Sequence, residues 1–246
     1  MVRTSKNSQK NTRRANTVSM SESVKEIARL CSASACGIAD ASLFGEAPQG
    51  FRPENVLKGA KAVISIGIKT PATIIFEAAP TVYTRAIFYL DRLLDEAAFR
   101  LAHFLEEKGY RAIPLPGRAL NMAAIGGELK GDISHKHAAS LAGLGEIGYN
   151  SLLLSPLFGN TLALTSVVTD APLFADSPFP YGLCDNCGRC ADACPVKAIQ
   201  GPGLVDKERC QNHYRMFKDI YKETMGLYFC RECRRVCLER NRSRTL

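Results

Sequence analysis

Eight cysteines between positions 184 and 237 constrain this chain more than any other feature. They begin as Cys184-x2-Cys187-x2-Cys190-x3-Cys194-Pro195 and continue as Cys210, then Cys230-x2-Cys233-x3-Cys237. Three thiols packed this closely suit a tight loop that supplies three corners of one iron-sulfur cube, while the fourth cysteine of such a run leaves for a second cube. The spacing predicts two 4Fe-4S clusters, one on Cys184, Cys187, Cys190 and Cys237, the other on Cys194, Cys210, Cys230 and Cys233. Tetrahedral zinc would be served by two separate CxxC pairs and has no use for a third close thiol. Crowded cysteines also differ from the spread bridges of a secreted disulfide fold, and they point to a reducing, cytoplasmic compartment.

The chain has 246 residues, 46% hydrophobic and 23% charged, so it can bury a sizeable core besides the cysteine block. Lys61, Lys69, Glu77 and the turn from Pro156 to Asn160 interrupt its most apolar stretches. No run reaches the roughly 18 apolar residues of a membrane-spanning helix, and no membrane partner is expected. Arg3, Lys6, Lys10, Arg13 and Arg14 give the first twenty residues +5, and 13 basic against 8 acidic side chains give residues 184–246 another +5, so the total of +8 leaves the middle at −2. Basic ends can signal nucleic acid. Each cluster with four thiolates carries about −2, however, so two of them bring the cysteine module to about +1 and use most of its basic excess as counter-charge.

Residues 1–20 hold almost nothing to bury and read as a disordered basic tail. Ser23 and Glu26 form a capping-box pattern ahead of Val24, Ile27, Ala28 and Cys31 at helical spacing, which places Cys31, and with it Cys36, among small apolar core residues. Ala62 to Ile68 reads as a buried strand, and Ile87, Leu90, Leu94, Ala97, Leu101 and Leu105 trace one face of a long helix that stops at Gly109. A second strand, Thr161 to Thr169, precedes a linker marked by Pro172, Pro178, Pro180 and Gly182. The chain thus divides into the tail, an α+β domain over 21–178 and a ferredoxin-type double-cluster module over 179–246. Within that module, Tyr214, Phe217, Tyr221 and Met225 share one helical face and predict an apolar lid over a cluster.

Gly143-Leu144-Gly145-Glu146-Ile147-Gly148 matches G-x-G-x-x-G, with Asp170 further on at a strand end. The context argues against a dinucleotide site, because helix-forming residues precede the glycines and Pro156 follows too early for a crossover helix. Tight turning, or close backbone approach to another flat cofactor, remain open for these glycines. Just upstream, Asp132, Ser134, His135, Lys136 and His137 form the densest group of proton-transfer side chains outside the cysteines. The same residues also suit a solvated helix start, on which His135 and His137 point apart.

Ser134-His135-Lys136-His137-Ala138-Ala139, then Ala142-Gly143-Leu144-Gly145-x2-Gly148-x-Asn150, then Thr169-Asp170-Ala171-Pro172-Leu173, then the double-cluster module, resemble the epoxyqueuosine reductase family and its reductive dehalogenase relatives. The resemblance implies a nitroreductase-like cobalamin-type domain set against the ferredoxin-like module, and an iron-sulfur reductase. An external donor of the reduced ferredoxin or flavodoxin type would feed both clusters, and cobalamin would reduce a small-molecule or modified-nucleoside substrate. On that resemblance Gly143, Gly145, Gly148 and Asn150 would approach the corrinoid, while Asp132, His135 and Lys136 would face the substrate, with Asp132 the nearest counterpart of the family's proton donor. The family's proline after that aspartate is absent here. Its C-terminal helical-repeat region has no counterpart before Leu246, which argues against tRNA as a partner. The alternative is a ferredoxin-like electron carrier without a catalytic cofactor of its own; about 160 residues outside the cluster module favour the enzyme.

Overall fold

The computed structural model describes residues 17, 19–117, 132–215 and 229–242. A helix over 19–30 (α1) opens it, so the expected helix start at Ser23 is displaced. Ser23 lies inside α1 with its hydroxyl donating to the Ser19 carbonyl at 3.0 Å, the back-bonding of a mid-helix serine rather than an N-cap. Ser21 donates likewise to the Thr17 carbonyl and accepts the Phe174 N–H at 2.7 Å, while Met20 packs against the core. The folded part therefore starts ahead of the expected boundary at residue 20. Residues 1–16 of the expected tail lie outside the described residues.

After α1 come β1 (Ala35–Asp40), α2 (Pro53–Val56), β2 (Ala62–Lys69), α3 (Ala72–Phe76), α4 (Pro80–Glu107), β3 (Ala112–Pro114) and α5 (His135–Leu141). A short ribbon, β4 (Glu146–Ile147) with β5 (Leu153–Leu154), leads into β6 (Leu162–Thr169). One sheet of order β1-β2-β6-β3, antiparallel at every pairing, carries the domain. Its strands alternate between two buried faces, which is why β2 is apolar almost throughout and leaves only Lys69 exposed. Ile64, Ile66, Ile68 and Val167 pack beneath α1 and α4, where Leu94, Leu101 and Leu105 are fully buried. Val63 and Val168 face α5 instead. The expected α+β domain is thus a sheet with helices on both faces, and α4 buries the apolar stripe its sequence promised before Gly109 turns the chain at φ +82°.

β1 has no clear signature in the sequence. Its Ala35-Cys36-Gly37 start is weakly strand-forming, yet β1 pairs with β2 along its whole length and Gly37 is where α5 lies closest. A Cβ on Gly37 would stand 2.2 Å from the Ala142 carbonyl oxygen. Gly37→Ala should therefore destabilise the domain by about 1–3 kcal/mol, the cost of overpacking a core, in a chemical-denaturation titration. Cys36, half-buried, packs against the main core beside this contact, and desolvation pushes its thiol up to about 12, in keeping with the core role expected of it.

The linker is not a free tether. Asp176 donates its N–H to the Ile38 carbonyl at 2.8 Å, accepts the Ile38 N–H at 2.9 Å through its carboxylate, and ion-pairs with Lys25 at 2.6 Å. Phe179 N–H reaches the Ser140 carbonyl at 3.0 Å. The segment covers the outer edge of β1 and fixes where the cysteine module begins. That module contains α6 (Arg189–Asp192), the β7–β8 hairpin (Ile199–Gly201 with Leu204–Val205), α7 (Lys207–Arg215) and α8 (Glu232–Arg242). Phe217, Tyr221 and Met225 of the expected lid, with the side chain of Tyr214, lie outside the described residues. Among the described residues no helix is long and apolar enough to cross a membrane.

Candidate functional site

Cys184 follows the linker, and its position is set from the α+β domain. The Glu146 carboxylate, almost fully buried, accepts the N–H groups of Gly182 at 2.7 Å and of Cys184, while Tyr149 N–H points at Cys184 Sγ at 3.3 Å. Gly188, at φ +75°, then turns the chain into α6, which leaves Cys187 exposed and carries Cys190 and Cys194 inward. Ala198 N–H points at Cys194 Sγ at 3.2 Å. Cys210 stands on α7, and Cys233 and Cys237 share one face of α8 at i, i+4. Cys184, Cys187, Cys190 and Cys237 line one concavity together with Tyr149, Asn150 and Asn160.

Burial raises several of these thiols, and repulsion from neighbouring thiols adds to it both within and across the two expected sets. Burial is the main cause that pushes Cys237 up to about 11, and Cys190, Cys184 and Cys187 push it further. Burial likewise raises Cys230, against a hydrogen bond from the Glu232 N–H and with the charges of Glu232, Cys210 and Cys194 adding to it. Cys233 rises to about 12 through burial and Cys230, with Cys210 and Cys190 adding to it. Thiols so placed do not ionise together without compensating positive charge, which is what iron supplies. Among the described residues no three His, Cys, Asp or Glu groups could hold a single metal ion, whereas a cube spreads its four cysteines over separate iron corners. Backbone N–H groups already aimed at Cys184 and Cys194 suit thiolate sulfurs.

The upstream polar group has a different character from the one expected. Ser134 caps α5, so the helix-start reading of this segment holds, and Asp132 is exposed. His135 is committed at both nitrogens: Nε2–H donates to the Pro116 carbonyl at 2.9 Å, which leaves Nδ1 to accept from Ser166 Oγ at 2.9 Å. His135 therefore straps the chain at Pro116 to α5 and β6. Lys136 Nζ donates to Ser151 Oγ at 2.9 Å, and burial, with Lys207 nearby, lowers its pKa. His137 turns outward to Ser134 Oγ at 2.8 Å.

Burial lowers the His135 pKa, against opposing effects of Pro116, Asp132 and Asp95. A histidine held neutral in the fold contributes stability that is intact above its free value near 6.5 and declines as pH falls below it, because the unfolded chain then takes up the proton first. His135→Ala should cost about 1–3 kcal/mol at neutral pH by orphaning the buried Ser166 hydroxyl and releasing the Pro116 carbonyl, and should flatten the loss of thermal stability between about pH 7 and pH 5.5.

The glycines turn out to serve the chain itself. A Cβ on Gly143 would meet the Ser177 carbonyl oxygen at 2.7 Å, and one on Gly145 the Leu154 carbonyl oxygen at 2.2 Å. At Gly148 the neighbours are Asn150, Leu152 and Cys184, at 3.6 to 3.8 Å. Asn150 Nδ2–H donates to the Cys233 carbonyl at 3.2 Å. The close approaches at Gly143 and Gly145 are thus taken by the linker and β5, while Gly148 and Asn150 border the concavity lined by Cys184, Cys187, Cys190 and Cys237. A helix precedes the motif and a strand follows it, the reverse of a dinucleotide fingerprint.

Several contacts that join the two domains carried no sequence signal. Asn160, 1% exposed, donates through Nδ2 to the Arg234 carbonyl at 3.3 Å. Arg231 donates to the carbonyls of Ile74, at 2.9 Å, and Ala78, and stacks over Tyr83 at 4.9 Å. Phe229 N–H donates to Thr84 Oγ1 at 3.1 Å. Glu146 was visible only as a variable position inside the glycine motif.

Residues 183–238 match the model of the 4Fe-4S double cluster binding domain. Epoxyqueuosine reductase from Lactococcus garvieae is 30% identical over 204 residues, covering 76% of this chain and 54% of the relative, and that from Listeria monocytogenes is 29% identical over 201 residues, covering 75% and 50%. The chain is a homologue of epoxyqueuosine reductases. It spans about half the length of these relatives. Tetrachloroethene reductive dehalogenase from Desulfitobacterium hafniense is 30% identical over 206 residues, 76% of this chain and 33% of the relative. The crystal structure of an epoxyqueuosine reductase with a modified tRNA stem loop superposes with a TM-score of 0.63 at 21% identity, over 89% of this chain and 64% of that one. A reductive dehalogenase solved in the context of B12-dependent dehalogenation gives 0.65 at 22%, over 82% and 30%. At such identities the superpositions establish a common fold for this epoxyqueuosine reductase homologue.

Proposed function

We propose that this chain is an iron-sulfur reductase of the cytoplasm, whose clusters are held by Cys184, Cys187, Cys190 and Cys237 and by Cys194, Cys210, Cys230 and Cys233. The observation that carries this is the concavity lined together by Cys184, Cys187, Cys190 and Cys237, which brings α8 back to the first cysteine loop. Cys194, Cys210, Cys230 and Cys233 make up the second set by their spacing in the sequence. When bound, each cluster would supply one-electron chemistry. The chain's own part is to hold and shield: Glu146 fixes the start of the first loop, Asn150 and Asn160 hold the α8 backbone, and Arg231 clamps the second set onto α3 and α4. Electrons come from an external low-potential carrier of ferredoxin or flavodoxin type. Anaerobically prepared protein should contain about eight iron and eight sulfide per chain by colorimetric analysis. A content near four, or none, would overturn the assignment.

The nitroreductase-like cobalamin domain comes to this chain from its relatives, one of which is linked by name to B12. Gly143 and Gly145 lie against backbone of the linker and β5 and offer no corrinoid face, and no step is assigned through that cofactor. The covered glycines favour a second reading, an electron carrier without its own catalytic cofactor. Asp132, exposed beside α5, is the group free to donate a proton to a substrate in the reductase reading. Titrating cob(II)alamin into the protein under electron paramagnetic resonance separates the two. A changed spectrum supports a corrinoid reductase, and an unchanged free-cofactor spectrum at saturating protein supports the carrier.

A further inference from the structure

Charged side chains around the eight cysteines are mostly matched. Arg240 ion-pairs with Asp185, Arg209 with Asp206 at 4.0 Å, and Glu232 with Arg235 at 2.8 Å. The Arg231 guanidinium is taken up by two carbonyls and the Tyr83 ring. Arg234 differs. Its Nη1 is buried without a hydrogen-bond partner, and among the described residues its side chain has no ion pair. Its backbone is held by Asn160, and it follows Cys233 directly on α8. A guanidinium N–H buried without an acceptor is unfavourable in any fold, so the missing partner is an acceptor beside Cys233.

We propose that Arg234 donates to, and charge-compensates, the cluster held by Cys194, Cys210, Cys230 and Cys233, making it the more easily reduced of the two. This rests on the cluster assignment above. Reduction by an external one-electron donor adds one negative charge to the four-thiolate site and moves no heavy atom. An unmatched positive charge at short range in a low-dielectric interior stabilises that added charge. Beside the other set, Arg240 is neutralised by Asp185 and gives no comparable help. An arriving electron therefore comes to rest on the second cluster first, and Arg234 is a positioning residue that sets this order.

The test uses full-length protein prepared anaerobically, titrated with dithionite and redox mediators under electron paramagnetic resonance, with iron counted on every sample. Arg234→Gln should lower the midpoint potential of the cluster that reduces first, leave the other unmoved and keep the full iron content, while Arg234→Lys should stay near the native value. Two unchanged potentials in Arg234→Gln with iron intact would overturn the role of Arg234 and leave the cluster assignment standing. Native protein lacking iron would instead overturn the assignment itself. Should Arg234→Gln lose iron, Arg234→Lys decides: a rebuilt cluster of native potential supports the role, and an iron-depleted one refutes it.

Discussion

Replacing Cys237 with serine should remove about half of the iron from anaerobically prepared protein, and replacing Cys194 should remove the other half, because each set loses one of four thiolate corners. The thiols are not equivalent in what else they hold. Cys237 lies on α8 next to Leu238, which is buried in the main core cluster, so losing its cluster also loosens the packing of α8 against the α+β domain. Cys194 is itself buried and fixed by the Ala198 N–H. Both variants should melt at clearly lower temperature, since metal binding to a preformed site is folding free energy. Cys31→Ala and Cys36→Ala should instead keep all the iron, their thiols being raised by burial among core residues with no other cysteine beside them. Loss of iron from either, or full iron in Cys237→Ser, would show that the ligand sets are wrongly drawn.

The difference between these cysteines was legible in the sequence because ligand spacing is a local property. Three thiols on one short loop can do little else, and the return of Cys237 to the first set follows from the same pattern. The strand at β2 and the buried stripe of α4 were legible for a similar reason, since their periodicity is written along a single segment. What escaped was information held between distant segments. Cys184 takes its place from Glu146, 38 residues away, and Cys233 is gripped by Asn150, 83 residues away. Ser23 looked like a cap because its neighbours allowed it, but residues ahead of it were recruited into α1 by contacts with the core and with Phe174. The linker carried turn residues and still became an ordered edge to β1, because Ile38 left its N–H and carbonyl open to Asp176.

The glycine motif shows that difference most sharply, and it yields a graded expectation. Gly145→Ala would put a methyl group 2.2 Å from the Leu154 carbonyl oxygen, 2.8 Å from the Leu154 carbonyl carbon and 3.0 Å from Ser155 Cα. All three are backbone atoms, held by the pairing of Glu146 with Leu154, so no flexible side chain can give way. The φ of +157° at this position adds strain for any residue with a Cβ. The β4–β5 ribbon has to open, and Glu146, the next residue, moves with it and releases the N–H groups of Gly182 and Cys184. Gly145→Ala should therefore cost at least about 1–3 kcal/mol and deplete the first cluster. Gly143→Ala should follow in the same direction, through the Ser177 carbonyl at 2.7 Å and a φ of +79°. Gly148→Ala should stay within about 0.5 kcal/mol of the native protein, as its nearest neighbours stand at ordinary contact distance. A cofactor cradle would make cofactor binding sensitive to all three glycines while leaving the empty fold indifferent to them. Chemical denaturation of the three variants, with iron measured on each, separates the cases, and equal stability of Gly145→Ala and Gly148→Ala would overturn the view that this turn exists to bring β5 and the first cysteine loop together.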